Sequence, residues 1–291
     1  MTQRGGGAGA KPTEQVRVWQ PPDIGNLQLM RATYVTQTFP RHSHDGFGVG
    51  VIERGALGFF YRGANVVAPA GQINLVNPDE AHTGQSATED GWTYRMFYFG
   101  ADVLQQAATE RSGRPADLPF FTSGVIDDPP LAALIHRVHL LFEDQDASLL
   151  EKQSRLLHML IHLIARHTAA RPEEKHPGRE HLRVRRAIDY LDARFSEDVS
   201  IEKLAGVACL SPYHFIRVFA RHTGLPPHAW LMQLRARKAR GMLQQGMAIA
   251  DAACMAGFAD QSHLTRTFKR LLGYTPGQLS NSVQDAGRLS R

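Results

Sequence analysis

The sequence predicts an α+β chain. An N-terminal antiparallel β-barrel with flanking helices is followed by an all-α domain of two helix-turn-helix subdomains joined by a long helix. Three observations predict it. Between Val16 and Gly100 the apolar residues fall in short β-type runs separated by Gly, Pro and Asn. From Leu131 onward the apolar period changes to that of a helix. In the last hundred residues one helical pattern is written twice, about 48 residues apart.

Taken in order, residues 1–14 read as a flexible leader, because the Gly-rich start carries no apolar stretch. Neither a secretory signal nor a membrane span is predicted, since no run of 18 apolar residues exists. The strands expected are Leu27 to Gln37, Gly48 to Glu53, Leu57 to Tyr61, Asn65 to Ala68, Gln72 to Val76 and Trp92 to Phe99. Pro69-Ala-Gly71 and Asn77-Pro78-Asp79 supply turns, through fixed φ in Pro and tolerance of positive φ in Gly and Asn. Regular short strands of this kind suit a small barrel or sandwich.

Pro129-Pro130 opens a helix carrying Leu131, Leu134, Ile135, Val138 and Leu141. A second helix carries Leu149, Leu150, Leu156, Leu157, Leu160, Ile161 and Ile164, an apolar arc wide enough for one stripe on the barrel and another on a second subunit. A homodimer is therefore expected, with simple burial within the domain as the alternative. Residues 169–178 form a polar, Pro-containing linker, so the domains are expected at 15–168 and 179–291.

The repeat defines the second domain. Ile201-Glu-Lys-Leu-Ala205, Leu210-Ser211, Phe215-x-Arg217-x-Phe219 and Gly224-x-x-Pro227 make the first copy. Ile249-Ala-Asp-Ala-Ala253, Phe258-x-Asp260, Leu264-x-Arg266-x-Phe268 and Gly273-x-x-Pro276 make the second, with one residue added in its turn. Ser211 and Asp260 are N-cap residue types. Phe215 with Phe219, and Leu264 with Phe268, are four apart and hold each second helix on the core. The opposite faces carry Tyr213, His214 and Arg217 in one copy and Gln261, Ser262, His263 and Arg266 in the other. Such side chains can bond to base edges and phosphates in a major groove. Between the copies, Pro227 to Leu243 reads as a helix of about 24 Å by its rise per residue. That length suits two recognition helices held about one DNA turn, near 34 Å, apart. Its Arg235, Arg237, Lys238 and Arg240 are expected to divide between phosphate neutralisation and bracing.

Charge agrees. From residue 179 onward there are 17 Lys and Arg against 9 Asp and Glu, a net of +8, which leaves −3 on the remainder of a chain of +5 overall. The basic surplus expected of a double-stranded DNA partner lies only in the C-terminal part.

The run from Ala250 through Gly257-Phe258, Asp260-Gln-Ser262-His263, Arg266-Thr-Phe268-Lys269 to Gly273-Tyr-Thr-Pro276 resembles the signature of the AraC/XylS family of bacterial transcription regulators. The resemblance covers about residues 182–280. It implies that Tyr213, Ile216 and Arg217, and Gln261, Ser262 and Arg266, occupy base-reading positions. Ile216 departs from the polar residue often found there, so the first helix reads fewer bases or meets a thymine methyl. The resemblance also implies an activator that contacts RNA polymerase, and two cysteines in the whole chain suit a cytoplasmic setting.

More loosely, the N-terminal part is similar to the cupin-type sensor barrel of that family. By similarity to sugar-binding members, Arg54, His82, Tyr94 and Met96 line a small-molecule pocket, with His42 and His44 as polar pocket or strand-end residues. Trp92, Tyr94, Met96 and Tyr98 alternate with Thr93, Arg95, Phe97 and Phe99, so one set shares a face of the sheet. Cupin enzymes hold a metal with His-x-His, a nearby Glu and a later His. Here Gly48 and Val49 stand where the Glu belongs, Glu53 is nine residues beyond His44, and Asn74 falls near the later His. Three imidazoles could still hold Zn or Fe, but the expectation is no metal and no cofactor. No Ser/His/Asp set, P-loop or carboxylate pair stands out, so no enzyme is expected. The alternative is a metal-dependent cupin oxygenase fused to a DNA-binding domain. Cys209 and Cys254 are too few for a disulfide framework and are expected to be small buried fillers.

Overall fold

The computed structural model describes residues 13–21, 24–145, 147–169 and 179–279. Nine strands form the N-terminal half: β1 (Gln15–Trp19), β2 (Leu27–Tyr34), β3 (Phe39–His42), β4 (Phe47–Tyr61), β5 (Ala64–Pro69), β6 (Ile73–Val76), β7 (His82–Ser86), β8 (Trp92–Phe99) and β9 (Val125–Ile126). The main ladder runs β1-β2-β8-β4-β6-β9, and every pairing is antiparallel. The first half of β4 pairs with β8 and β6, while its second half pairs with β5 and β7. One long strand thus serves both layers.

The strand bends where the sequence suggested a break between two strands. Its pairing with β8 shifts register between Ile52 and Arg54, and Gly55 follows with φ +67°. A Cβ at Gly55 would stand 1.9 Å from the Gly91 carbonyl oxygen. Only glycine fits so close a crossing of two strands. Among the described residues β1 and β9, the ends of the ladder, do not pair with each other, so the sheet is curled and open rather than the closed barrel expected.

Helix α1 (Ala101–Ser112) follows β8 directly, then α2 (Pro129–Leu141) and α3 (Leu149–His167) pack on one face of the sheet. The α2 start is fixed by Asp128, whose carboxylate accepts the Leu131 amide at 3.2 Å, and the α3 start by Ser148, which accepts that of Glu151 at 3.2 Å. Leu156, Met159, Leu160, Leu163 and Ile164 bury against Leu29, Phe47, Val49, Leu75, Phe97 and Phe99 of the sheet. The other α3 stripe stays out: Leu149, Leu150 and Leu157 are exposed, Leu150 by 73%, as is Leu140 of α2.

The remaining helices are α4 (Arg179–Ala193), α5 (Ile201–Val207), α6 (Pro212–Thr223), α7 (Pro227–Gln244), α8 (Ile249–Met255) and α9 (Gln261–Leu272). The expected linker lies, apart from Ala169, outside the described residues, as does nearly all of the leader. Both copies of the repeat fold alike. Ser211 accepts the His214 amide at 3.4 Å and Asp260 that of His263 at 2.6 Å. Leu231 and Leu234 of α7 face Phe215 and Phe219, while its Met232, Ala236 and Ala239 join Leu264, Phe268 and Leu271. The central helix is therefore a shared wall. In the two turns, Cys209 (φ 52°) and Gly257 (φ 79°) take the same left-handed conformation, so the first copy keeps a side chain where the second has none. Cys209 and Cys254 are both exposed, which corrects the expectation of buried fillers. Cys209 occupies a tight turn that leaves its side chain outside the core. No helix among the described residues is long and apolar enough to cross a membrane.

Candidate functional site

On α6, Phe215 and Phe219 are fully buried with ring centroids 5.3 Å apart, which turns the opposite face outward. Ile216 (41% exposed), His214 and Arg217 lie on that outward face. His214 Nε2 is 3.2 Å from Glu180 of α4. Tyr213 is on the same helix, but its side chain lies outside the described residues. On α9, Leu264 and Phe268 are buried and Gln261, Ser262 and Arg266 are exposed. His263 differs from its neighbours: it is half-buried, edge-on to the Phe258 ring at 5.2 Å.

The α7 cations are more occupied than expected. Buried Arg235 donates to the carbonyls of Phe195, Gly257 and Glu197 at 2.7, 2.6 and 2.9 Å. Lys238 lies 3.0 Å from Asp192, Arg240 3.7 Å from Asp45, and Arg237 over the Trp230 ring at 6.0 Å. Each of the four thus has a protein partner.

The second helical subdomain packs against the sheet domain, with α9 on β3. Gln233 of α7 accepts from the Ser43 amide and hydroxyl at 3.2 and 3.3 Å, and Tyr34 donates to the Gly273 carbonyl at 3.0 Å. Buried Gln28 donates to the Tyr274 hydroxyl at 3.3 Å. Beneath this contact lies a cavity. Its walls are Trp92, Tyr94, Met96 and Tyr98 of β8, with His42, His44, His82, Gln28 and Asn74. Its roof is Arg240, Leu271 and Tyr274 from the helical half.

Five of the six pocket residues expected from sequence thus meet in one cavity. Arg54 does not: it is exposed at the β4 bulge, where the register shift turns it away. The alternation along β8 signalled Trp92 and Tyr98 as well. The roof residues carried no such signal, because their partners are more than a hundred residues away in the chain.

The three imidazoles cluster, with ring centroids 4.3 Å (His42–His82), 4.9 Å (His42–His44) and 5.0 Å (His44–His82) apart. His42 Nδ1 is 2.8 Å from the Pro40 carbonyl and His82 Nδ1 2.9 Å from that of Glu80. A carbonyl only accepts, so Nδ1 carries the proton in both neutral rings and Nε2 keeps the lone pair. Burial is the main cause that lowers His42 to about 4 and His82 to about 3, and it also pushes His44 well below its ordinary value. Glu53 lies elsewhere, on the α2 side of the sheet. It accepts from Arg95 at 2.6 Å and Arg31 at 3.2 Å, and it meets His136 Nε2 at 2.9 Å. The four-ligand set of a cupin enzyme is therefore not assembled.

With this geometry the comparisons with known proteins agree. Residues 25–160 match the AraC-like ligand binding domain and residues 204–282 a helix-turn-helix domain. The chain thus carries an AraC-like ligand-binding domain followed by a helix-turn-helix domain. Among its relatives is the HTH-type transcriptional regulator YbfI of Bacillus subtilis, 29% identical over 244 residues, covering 82% of this chain and 86% of that protein. Another is the HTH-type transcriptional activator RhaS of Escherichia fergusonii, 27% identical over 252 residues, covering 83% and 87%. In fold the chain is similar to ToxT from Vibrio cholerae, with a TM-score of 0.52 at 11% identity over 93% of this chain and 97% of that one. The chain is a ligand-responsive, DNA-binding transcriptional regulator, and the oxygenase alternative finds no support.

Proposed function

We propose that this regulator activates transcription when a small polar metabolite fills the cavity between its two halves. The observation that carries the reading is the shared cavity itself, walled by the sheet and roofed by the second helix-turn-helix subdomain. A ligand there touches both halves and so can favour one arrangement of them over another, the requirement for any ligand-driven switch. Three buried atoms of cavity-lining residues have no hydrogen-bond partner among the described residues: Gln28 Oε1, Asn74 Oδ1 and Trp92 Nε1. Buried polar atoms left unpaired are costly. A ligand offering donors to the two amide oxygens and an acceptor to the indole would satisfy all three, in a pocket that also presents aromatic and apolar groups, three imidazoles and Arg240.

DNA is read by Ile216 and Arg217 with Tyr213 and His214 on α6, and by Gln261, Ser262 and Arg266 with His263 on α9. Activation runs through contact with RNA polymerase in the cytoplasm, without catalysis by the chain. Replacing Arg266 with alanine is expected to cost about 1–3 kcal/mol on a specific site and to relax preference at one base pair. Equal losses on specific and random DNA in a binding titration would make Arg266 a phosphate contact.

The exposed Leu140, Leu149, Leu150 and Leu157 support a homodimer through α2 and α3. Sedimentation should show a mass that rises toward the dimer with concentration. A monomer mass throughout would remove this interface.

A further inference from the structure

We propose that His42, His44 and His82 bind one divalent transition-metal ion, with Zn²⁺ the best fit, at the junction of the sensor and DNA-reading halves. The proposal names a ligand class for the cavity and so rests on the reading of that cavity as the sensory site. One nitrogen from each ring lies within 4.8 Å of the others, the only such cluster of three metal-ligating side chains among the described residues. Tetrahedral zinc with bonds of about 2.0–2.1 Å needs its nitrogens roughly 3.3 Å apart. The three nitrogens lie within 4.8 Å of one another, so the rings must draw together to reach that spacing.

Three further features point to a metal rather than to three incidental polar groups. The Nδ1–H groups of His42 and His82 are engaged by the Pro40 and Glu80 carbonyls. Metal-bound histidines characteristically donate their second ring nitrogen in this way, which fixes ring orientation and raises ligand basicity. The elements that carry the rings are tied to one another, since His42 of β3 pairs in register with His82 of β7. Finally, the cluster holds no carboxylate. An all-imidazole set suits Zn, Cu or Ni over Mg or Ca and leaves a fourth position for an exogenous donor.

Arg240 of α7 lines the same cavity and is a cation that disfavours a bare dication, an effect partly offset by Asp45 at 3.7 Å. Charge balance therefore favours an anionic fourth ligand shared between metal and guanidinium, which would link the sensor to α7.

The test is a titration of the chelator-treated full chain with Co²⁺, read by its visible d–d absorption, followed by displacement with Zn²⁺. One Co²⁺ per chain is expected, with Zn²⁺ displacing it because imidazole sites prefer zinc to cobalt. His82→Ala and His42→Ala should each weaken binding at least tenfold while keeping the far-ultraviolet circular dichroism of the parent. The exposed His158–His162 pair on α3, with centroids 4.4 Å apart, is the control. Its double alanine variant should bind as the parent does. Binding weaker than millimolar, or binding lost in the α3 variant and kept in His82→Ala, overturns the proposal. The absorption is read without metabolite or DNA, so the metal can fail to bind while the cavity still takes a metabolite, and the metal can be held while DNA binding ignores the cavity.

Discussion

Replacing Arg235 with alanine is expected to destabilise the chain by about 3–5 kcal/mol, because three carbonyl oxygens lose a charged donor, each such bond being worth about 1.5–3 kcal/mol. Its guanidinium reaches Phe195 and Glu197 before α5 and Gly257 in the turn between α8 and α9, so one side chain ties the two helix-turn-helix units together. Removing it strands three carbonyl oxygens, each worth about 1–3 kcal/mol when left unsatisfied, with partial relief from entering water. Lysine should rescue only part, because a single ammonium cannot reproduce the planar fork that meets three acceptors. Urea denaturation reads the effect directly. A loss under about 1 kcal/mol would show that the subdomains are braced by apolar packing alone.

Phe268→Ala is expected to cost a similar 3–5 kcal/mol or so, about the range for the lost transfer energy and the cavity left behind. Phe268 is fully buried and edge-on to Tyr274 at 6.2 Å, in a core that joins Leu264 and Leu271 of the DNA-reading half to Tyr34 and Trp92 of the sensor. Its counterpart Phe219 lies in a separate core with Val184, Leu191 and Leu204. The two alanine variants should therefore lose comparable stability, while only Phe268→Ala loosens the roof of the sensor cavity. Hydrogen exchange at β3 and β7 separates them. Equal exchange in both variants would mean that the roof is not held by this core.

The helical half was legible because its signals are local. Caps at Ser211 and Asp260, apolar pairs four residues apart and a repeated sequence each act within a turn or two. The sheet was less so. The strands β1, β3 and β7 are short and stand or fall by partners distant in the chain, and α1 carries only Leu104, Ala107 and Ala108 as its buried face. The residue series from Trp92 to Tyr98 announced one cavity wall, since strand alternation is set locally. Arg54 was misplaced because a bulge, which no periodicity reports, reverses the faces beyond Ile52. The contribution of Arg240, Leu271 and Tyr274 to the cavity depends on docking between halves, which only the folded chain reveals.

Helices α6 and α9 are held to read DNA together, from two neighbouring grooves. Chemical footprinting on a site selected from random sequence tests this most directly. Two protected major-groove segments about one helical turn, near 34 Å, apart on one face of the duplex are the expected result, with the segment read by α9 weakened in Arg266→Ala. A single protected segment, or two that are equally indifferent to changes on α6 and α9, would contradict it.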